Sequence, residues 1–168
     1  SGKTIVAAFA ALKAISSGAQ VAVMAPTELL AEQHYTKLKS WMAPLGVQVQ
    51  RLSGSQKSKD KQHVLNAVAC GDTQLVVGTQ ALIQTTVTFD CLGLVILDEQ
   101  HRFGVGQRLA LGQKGEQQTD AVSLLPHQLN MSATPIPRTL AMTLFADLDV
   151  SVLDELPPGR RSVVTKLV

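Results

Sequence analysis

Apolar positions recur at Ile5, Ala8, Phe9, Leu12 and Ile15 before giving way to Ser16-Ser17-Gly18. That period predicts a first helix closed by a glycine cap. Val21-Ala22-Val23-Met24-Ala25 is a short unbroken apolar run ended by Pro26, which predicts a strand covered on both faces. A second helix follows, with Thr27 as N-cap and Glu28 in the first turn, where the helix dipole favours an anion. Leu30, His34, Leu38 and Trp41 mark its inward face, and Pro44 and Gly46 stop it. Alternation over 47–52 predicts another strand, and Val64, Leu65 and Val68 give one face of a helix over 59–70 that ends at Gly71. Gln74-Leu75-Val76-Val77 reads as a strand running into Gly78-Thr79, with a short helix over 80–83. The most continuous strand signal is 92–97. The polar stretch 112–119 reads as a mobile connection, Gln128-Leu129-Asn130-Met131 as a strand, and Pro137 as the opening of a helix with Leu140, Ala141, Leu144, Phe145 and Leu148 facing inward.

Strands alternating with helices predict right-handed βαβ units: an α/β fold with a mostly parallel sheet and helices on both faces. Such folds bind ligands at the carboxyl ends of their strands, so residues that carry chemistry should follow strands directly.

Composition narrows this picture. A chain of 168 residues with 45% apolar content suffices for one core, and 17% charged residues exclude a disordered, solvating chain. The apolar run 91–97 is far short of the roughly 20 residues that a membrane helix needs, so no membrane partner is expected. The opening Ser1-Gly2-Lys3-Thr4 has no resemblance to a secretory signal, which favours an intracellular, cytoplasmic location. Cys70 and Cys91 lack C-x-x-C spacing and read as core thiols rather than a disulfide or zinc site. A net charge of +2 permits a local basic patch without demanding one.

Two constellations carry chemistry. Gly2-Lys3-Thr4 before an amphipathic helix matches the second half of G-x-x-x-x-G-K-[ST], whose first glycine would lie about five positions before Gly2. In that loop, N–H groups at a helix start cradle phosphates, the lysine reaches the terminal phosphates and the hydroxyl ligates Mg²⁺. A polar helix start of the ordinary kind fits the tetrapeptide equally well when it is taken alone. Leu94-Val95-Ile96-Leu97-Asp98-Glu99 is a strand delivering two adjacent carboxylates to its end, a Walker B arrangement. Asp98 supplies the anionic oxygen that a hard cation wants, and Glu99 is placed to orient a water. The two together point to magnesium-dependent nucleotide hydrolysis.

Longer strings bring a family resemblance. Asp98-Glu99-Gln100-His101 resembles motif II of superfamily 2 helicases, Ala25-Pro26-Thr27-Glu28-Leu29-Leu30 motif Ia, Val77-Gly78-Thr79 motif Ib, and Ser132-Ala133-Thr134 motif III, in the family's order. The strings 98–105 and 132–140, with Gln100 and Asp154-Glu155-Leu156-Pro157-Pro158-Gly159-Arg160, are most similar to the RecG branch, which shares part of them with the transcription-repair coupling translocase.

The resemblance implies a RecA-like P-loop lobe over 1–156 and a linker toward a second lobe over 157–168. It implies an ATP-dependent DNA helicase that remodels branched DNA in a bacterial, nucleoid-associated setting. The implied cofactors are ATP and Mg²⁺. The implied partners are DNA, a second RecA-like lobe and an N-terminal wedge domain. By position, Ser1, Gly2, Lys3 and Thr4 would bind the nucleotide, Thr4 and Asp98 the metal, and Lys3, Asp98, Glu99, Gln100 and His101 would form the catalytic set. Thr27, Gly78, Thr79 and Arg138 would contact DNA, and Ser132 and Thr134 would couple the two sites.

Other readings stay open on the residues themselves. Thr27 serves equally as a plain N-cap, because capping and phosphate binding use the same geometry. His34 and His63 read as solvated or half-buried helix residues, His127 as a loop residue, Trp41 as core, and Arg102, Arg108, Arg138, Arg160 and Arg161 as surface charges. A silent nucleotide-binding module would keep the same fold. With half the phosphate loop and the second lobe outside it, this stretch alone is expected neither to unwind DNA nor to hydrolyse ATP appreciably.

Overall fold

A computed structural model of the chain describes residues 2–99, 102–115, 117–119, 122–133 and 149–153. Ser1, Gln100, His101, Thr134, Arg138, the helix expected from Pro137 and the linker over 157–168 lie outside the described residues.

The described elements run α1 (Lys3–Ser16), β1 (Gln20–Met24), α2 (Glu28–Met42), β2 (Val49–Leu52), α3 (Ser58–Ala69), β3 (Leu75–Gly78), β4 (Leu92–Asp98), α4 (Val105–Gln113), β5 (Gln117–Thr119), β6 (Val122–Leu124) and β7 (His127–Met131). Five strands form one wholly parallel sheet in the order β2-β3-β1-β4-β7, while β5 and β6 form a separate antiparallel hairpin.

The unbroken apolar run in β1 has a direct cause. Val21 and Val23 enter a layer with Ala7, Ala8 and Ala11 of α1 and with Ala31, Leu38 and Met42 of α2. Ala22 and Met24 enter the opposite layer with Val64 and Val68 of α3 and with Ala81 and Leu82. Successive strand side chains point to opposite faces, so a strand covered on both sides must be apolar at every position.

Chain punctuation follows the sequence closely. Gly18 adopts φ +85° after α1, and Gly18 N–H and Ala19 N–H donate to the carbonyls of Ile15 and Ala14, closing the helix with a left-handed residue. The short helix over 80–83 is a 3₁₀ turn, Gln80–Ile83.

Several expectations are corrected. The buried face of α1 is its alanine stripe, while Ile5 is 50% and Phe9 68% exposed. Alanines let the helix lie close on the sheet, and because α1 is apolar around most of its circumference, periodicity alone could not choose the face. On α2 the inward stripe is Ala31, His34, Leu38 and Met42, which leaves Trp41 42% exposed. Cys70 is exposed and Cys91 partly so, and both are free thiols. His127 opens β7 instead of lying in a loop. Part of the stretch over 112–119 is ordered, as the end of α4 and the strand β5. Helix α4 was missed because Gly106 and Gly112 weaken its helical signal.

One side chain staples the loops behind the sheet. Buried Gln20 donates Nε2–H to the carbonyls of Val68 (2.9 Å) and Thr73 (2.8 Å), and its Oε1 accepts from Asp90 N–H (2.8 Å) and Cys91 N–H (3.0 Å). Its full hydrogen-bonding capacity is met, which is what makes a buried amide tolerable.

Gly78 sits where β3 passes close to β2. A Cβ there would lie 2.5 Å from the Leu52 carbonyl oxygen and 3.0 Å from Leu82 Cγ, whereas one at Gly54 would meet nothing within 4 Å. Gly78→Ala is therefore expected to destabilise the fold by about 1–3 kcal/mol, the usual range for overpacking. Gly54→Ala should leave the denaturant midpoint near that of the parent, so equal midpoints for the two variants would contradict the close-approach account.

Candidate functional site

Because the sheet is parallel, every strand ends at one edge, and the loops after β1, β3, β4 and β7 gather there. Helix α1 packs on β1 and β4, which brings its first residue, Lys3, to the end of β4. Lys3 Nζ lies 3.4 Å from Glu99 Oε1 and 3.9 Å from Asp98 Oδ1. The two predicted constellations thus meet across 96 positions of chain.

Asp98 is the last residue of β4 and pairs with Met131 of β7. Its carboxylate is held on both oxygens. Oδ1 accepts from Glu99 N–H at 3.1 Å and faces Lys3. Oδ2 lies 2.7 Å from His34 Nε2, with both side chains only 11% exposed. An ionised carboxylate can only accept, so Nε2 carries the proton and donates. Burial is the largest single influence on Asp98 and by itself would raise its pKa. The hydrogen bond and attraction of His34, the Lys3 ammonium and the Glu99 N–H together outweigh it and hold the carboxyl below the ordinary aspartate range.

Glu99 is the described non-glycine residue with positive φ, at +51°. A left-handed backbone costs a side-chain-bearing residue about 1–2 kcal/mol. The turn sends the carboxylate back over the site: Oε1 faces Lys3, and Oε2 accepts from Ala133 N–H at 3.3 Å. Ala133 and its neighbour Ser132 follow β7, so the motif III segment reaches the same group.

Of the other predicted residues, Thr4 is half-buried in the first turn of α1 and Gly2 is exposed at its start. Thr27 is the N-cap of α2, its oxygen accepting from Leu30 N–H at 3.3 Å. Thr79 Oγ1 donates to Glu28 Oε1 at 3.0 Å, which joins the loops after β1 and β3. Gly78 is buried, and its carbonyl accepts from Ala25 N–H. Arg102 is exposed, as is His63.

His34 is the residue that sequence reasoning misjudged. It is buried, not solvated, and it touches Asp98. The signal was present: His34 shares the inward face with Leu38, and a polar side chain on a buried face needs a partner.

A family model described as DEAD/DEAH box helicase matches residues 1–143. The ATP-dependent DNA helicase RecG of Escherichia coli K12 is 61% identical over 165 residues, covering 98% of this chain and 23% of its own length. RecG of Aquifex aeolicus is 54% identical over 167 residues, covering 99% and 20%. The chain thus spans less than a quarter of the length of these relatives. A solved structure of RecG bound to a three-way DNA junction superposes with a TM-score of 0.80 at 42% identity, covering 97% of this chain and 21% of that one. The expected RecA-like architecture is therefore the one found.

The depressed Asp98 pKa fixes a sign. Its ionised form contributes stability fully above the ordinary aspartate value of 3.8, and that contribution fades as pH falls through the lower folded-state value. Asp98→Asn should lose stability relative to the parent at neutral pH, with the gap closing under strong acid. Denaturant titrations across that range check this, and a gap that widens on acidification would reverse the assignment.

Proposed function

This chain belongs to the DEAD/DEAH box helicase family, and from that premise we propose that it is the ATP-binding motor lobe of a DNA helicase that remodels branched DNA in recombination and repair. The observation that carries this reading is the convergence of Lys3 with Asp98 and Glu99 at the carboxyl edge of a parallel sheet. The relative solved on a three-way DNA junction supports branched DNA as the substrate class, which would include stalled forks and four-way junctions.

The residues present suit magnesium and ATP. Two carboxylates face one ammonium in the cluster, a negative excess that a divalent cation balances. Asp98 and the Thr4 hydroxyl are the hard oxygen donors such a cation prefers. When bound, Mg²⁺ would neutralise charge developing on the transferred phosphoryl group. Lys3 would exchange its carboxylate contacts for phosphate oxygens, with Ser1, Gly2 and the first-turn N–H groups of α1 completing the cradle. Glu99, held at Oε2 by Ala133 N–H and released at Oε1 by Lys3, would orient the attacking water and take its proton. Gln100 and His101 would sense the terminal phosphate, and Ser132 and Thr134 would relay its loss.

DNA would lie across the loops after β1 and β3, with Thr27 donating to the sugar-phosphate backbone, Thr79 donating to it on exchanging its present acceptor, Glu28 Oε1, for a phosphate oxygen, and Gly78 shaping the turn. Arg138 would add a cation. The hydroxyl of Thr27 accepts at its oxygen within the cap, which leaves its proton as the donor. Hydroxyls and N–H groups at helix starts bind phosphate without regard to sequence, as a translocating motor requires. The remaining parts of the machine would be a second RecA-like lobe beyond a linker over 157–168 and an N-terminal wedge, working in the bacterial cytoplasm at the nucleoid.

In a full-length protein, Glu99→Gln should lower ATP turnover by about 10²–10⁴ while nucleotide affinity stays within a few-fold. Lys3→Ala should lose affinity as well. Steady-state hydrolysis and titration with a fluorescent nucleotide separate the two effects, and turnover surviving Glu99→Gln would refute the assignment. Replacing Thr27 and Thr79 together by Ala should weaken DNA binding by a similar factor on unrelated sequences. A sequence-selective loss would count against a backbone contact.

A further inference from the structure

We propose that His34 is a positioning residue that fixes which oxygen of Asp98 faces the metal and ties that orientation to helix α2. The inference rests on the motor reading above and adds to it a residue outside the helicase motifs.

Geometry carries the proposal. His34 Nε2 holds Asp98 Oδ2 at 2.7 Å in a nearly closed setting, and it comes from an element 64 positions upstream of the strand it touches. With Oδ2 engaged, the carboxylate cannot rotate freely, and Oδ1 is the oxygen turned toward Lys3. An imidazole suits this task. Its Nε2 donates one directed hydrogen bond to Oδ2, whereas the permanent charge of arginine at this position would compete with the metal. Partners that orient a metal-binding side chain in this way typically change metal affinity or activity by about 10–100-fold when removed.

The same helix begins in the loop proposed to meet DNA. Thr27 caps α2, and Glu28 in its first turn accepts from Thr79 after β3. His34 lies seven positions after Thr27, which is about two turns and returns to nearly the same side of the helix. A stiff helix that is hydrogen-bonded at its start to the loop after β3 and at its second turn to the end of β4 cannot shift at one end alone. His34 is where that constraint reaches the metal carboxylate.

The test uses the full-length protein with His34→Leu, which fills the space without a donor, and His34→Gln, which keeps an N–H donor. Binding of Mn²⁺ in the presence of a non-hydrolysable ATP analogue is read by electron paramagnetic resonance. The magnesium concentration for half-maximal ATP hydrolysis is measured alongside. His34→Leu should weaken Mn²⁺ binding and raise the magnesium requirement by about 10–100-fold, and His34→Gln should bring both within a few-fold of the parent. Unchanged metal binding in a folded His34→Leu protein would overturn the proposal, as would a His34→Gln protein no better than His34→Leu. Should the leucine variant not fold, the glutamine variant decides alone: near-parental Mn²⁺ binding supports the role, and a tenfold loss overturns it. A parent protein with no magnesium-dependent hydrolysis sinks the motor reading itself, a separate outcome from an active parent indifferent to residue 34.

Discussion

The Asp98 carboxylate must stay charged where little water reaches it, and the rest of the site is organised around meeting that demand. An uncompensated buried carboxylate is costly enough that it would take up a proton or unfold its surroundings. Here compensation comes from three directions: the His34 ring from α2, the Lys3 ammonium from the start of α1, and the Glu99 N–H from the next residue of its own chain. None is close to another in sequence except the last. A parallel sheet with helices on both faces solves the assembly problem, since it sends the chain back to the same edge after every crossover. The apolar run 21–24 of β1 and the alanine face of α1 set how closely Lys3 approaches the end of β4.

Glu99 shows where the fold accepts a local cost for function. Nothing about the turn after β4 favours a long acidic side chain in a left-handed conformation, a region where glycine or asparagine is commoner. The position is held from outside by an ion pair to Lys3 and an N–H from Ala133. Strain over-determined by its neighbours in this way is characteristic of reactive sites. It also means that Glu99 touches both Lys3 at the start of α1 and the segment after β7, so a change on either side alters the support of the other.

Much of this was legible beforehand, for physical reasons that can be named. Glycine at 18, 46 and 71 marks chain reversals because each has positive φ, and the motifs fell at strand ends because a parallel sheet leaves no other shared edge. What stayed hidden depended on comparing elements with one another. The inward face of α1 turned on close packing of alanines, which periodicity in a uniformly apolar helix does not register. Helix α4 contains two glycines, and β5 and β6 are three residues each, too short for periodicity to register. The contacts of Gln20 and His34 are with residues 48 to 71 positions away, and no local pattern encodes a partner at that distance.

Helix α2 draws these strands of reasoning together. Its cap and first turn belong to the loop cluster after β1 and β3, its second turn supports Asp98, and Glu32 pairs with Arg51 of β2 between them. An exposed ion pair such as Glu32–Arg51 adds little stability by itself, but it lies on the strand at the sheet's far edge and limits how the helix can roll. The edge where β4 ends therefore has two structural exits: through α2 toward the loops after β1 and β3, and through Glu99 to Ala133 after β7. These exits end on different oxygens of adjacent carboxylates. A motor that alternates between nucleotide states needs its nucleotide site to bear on the rest of the lobe, and two separate acidic side chains allow that influence to be divided. One carboxylate is fixed against α2, and the other is held between a cation and a backbone N–H, a balance that would change if Lys3 took up phosphate as proposed.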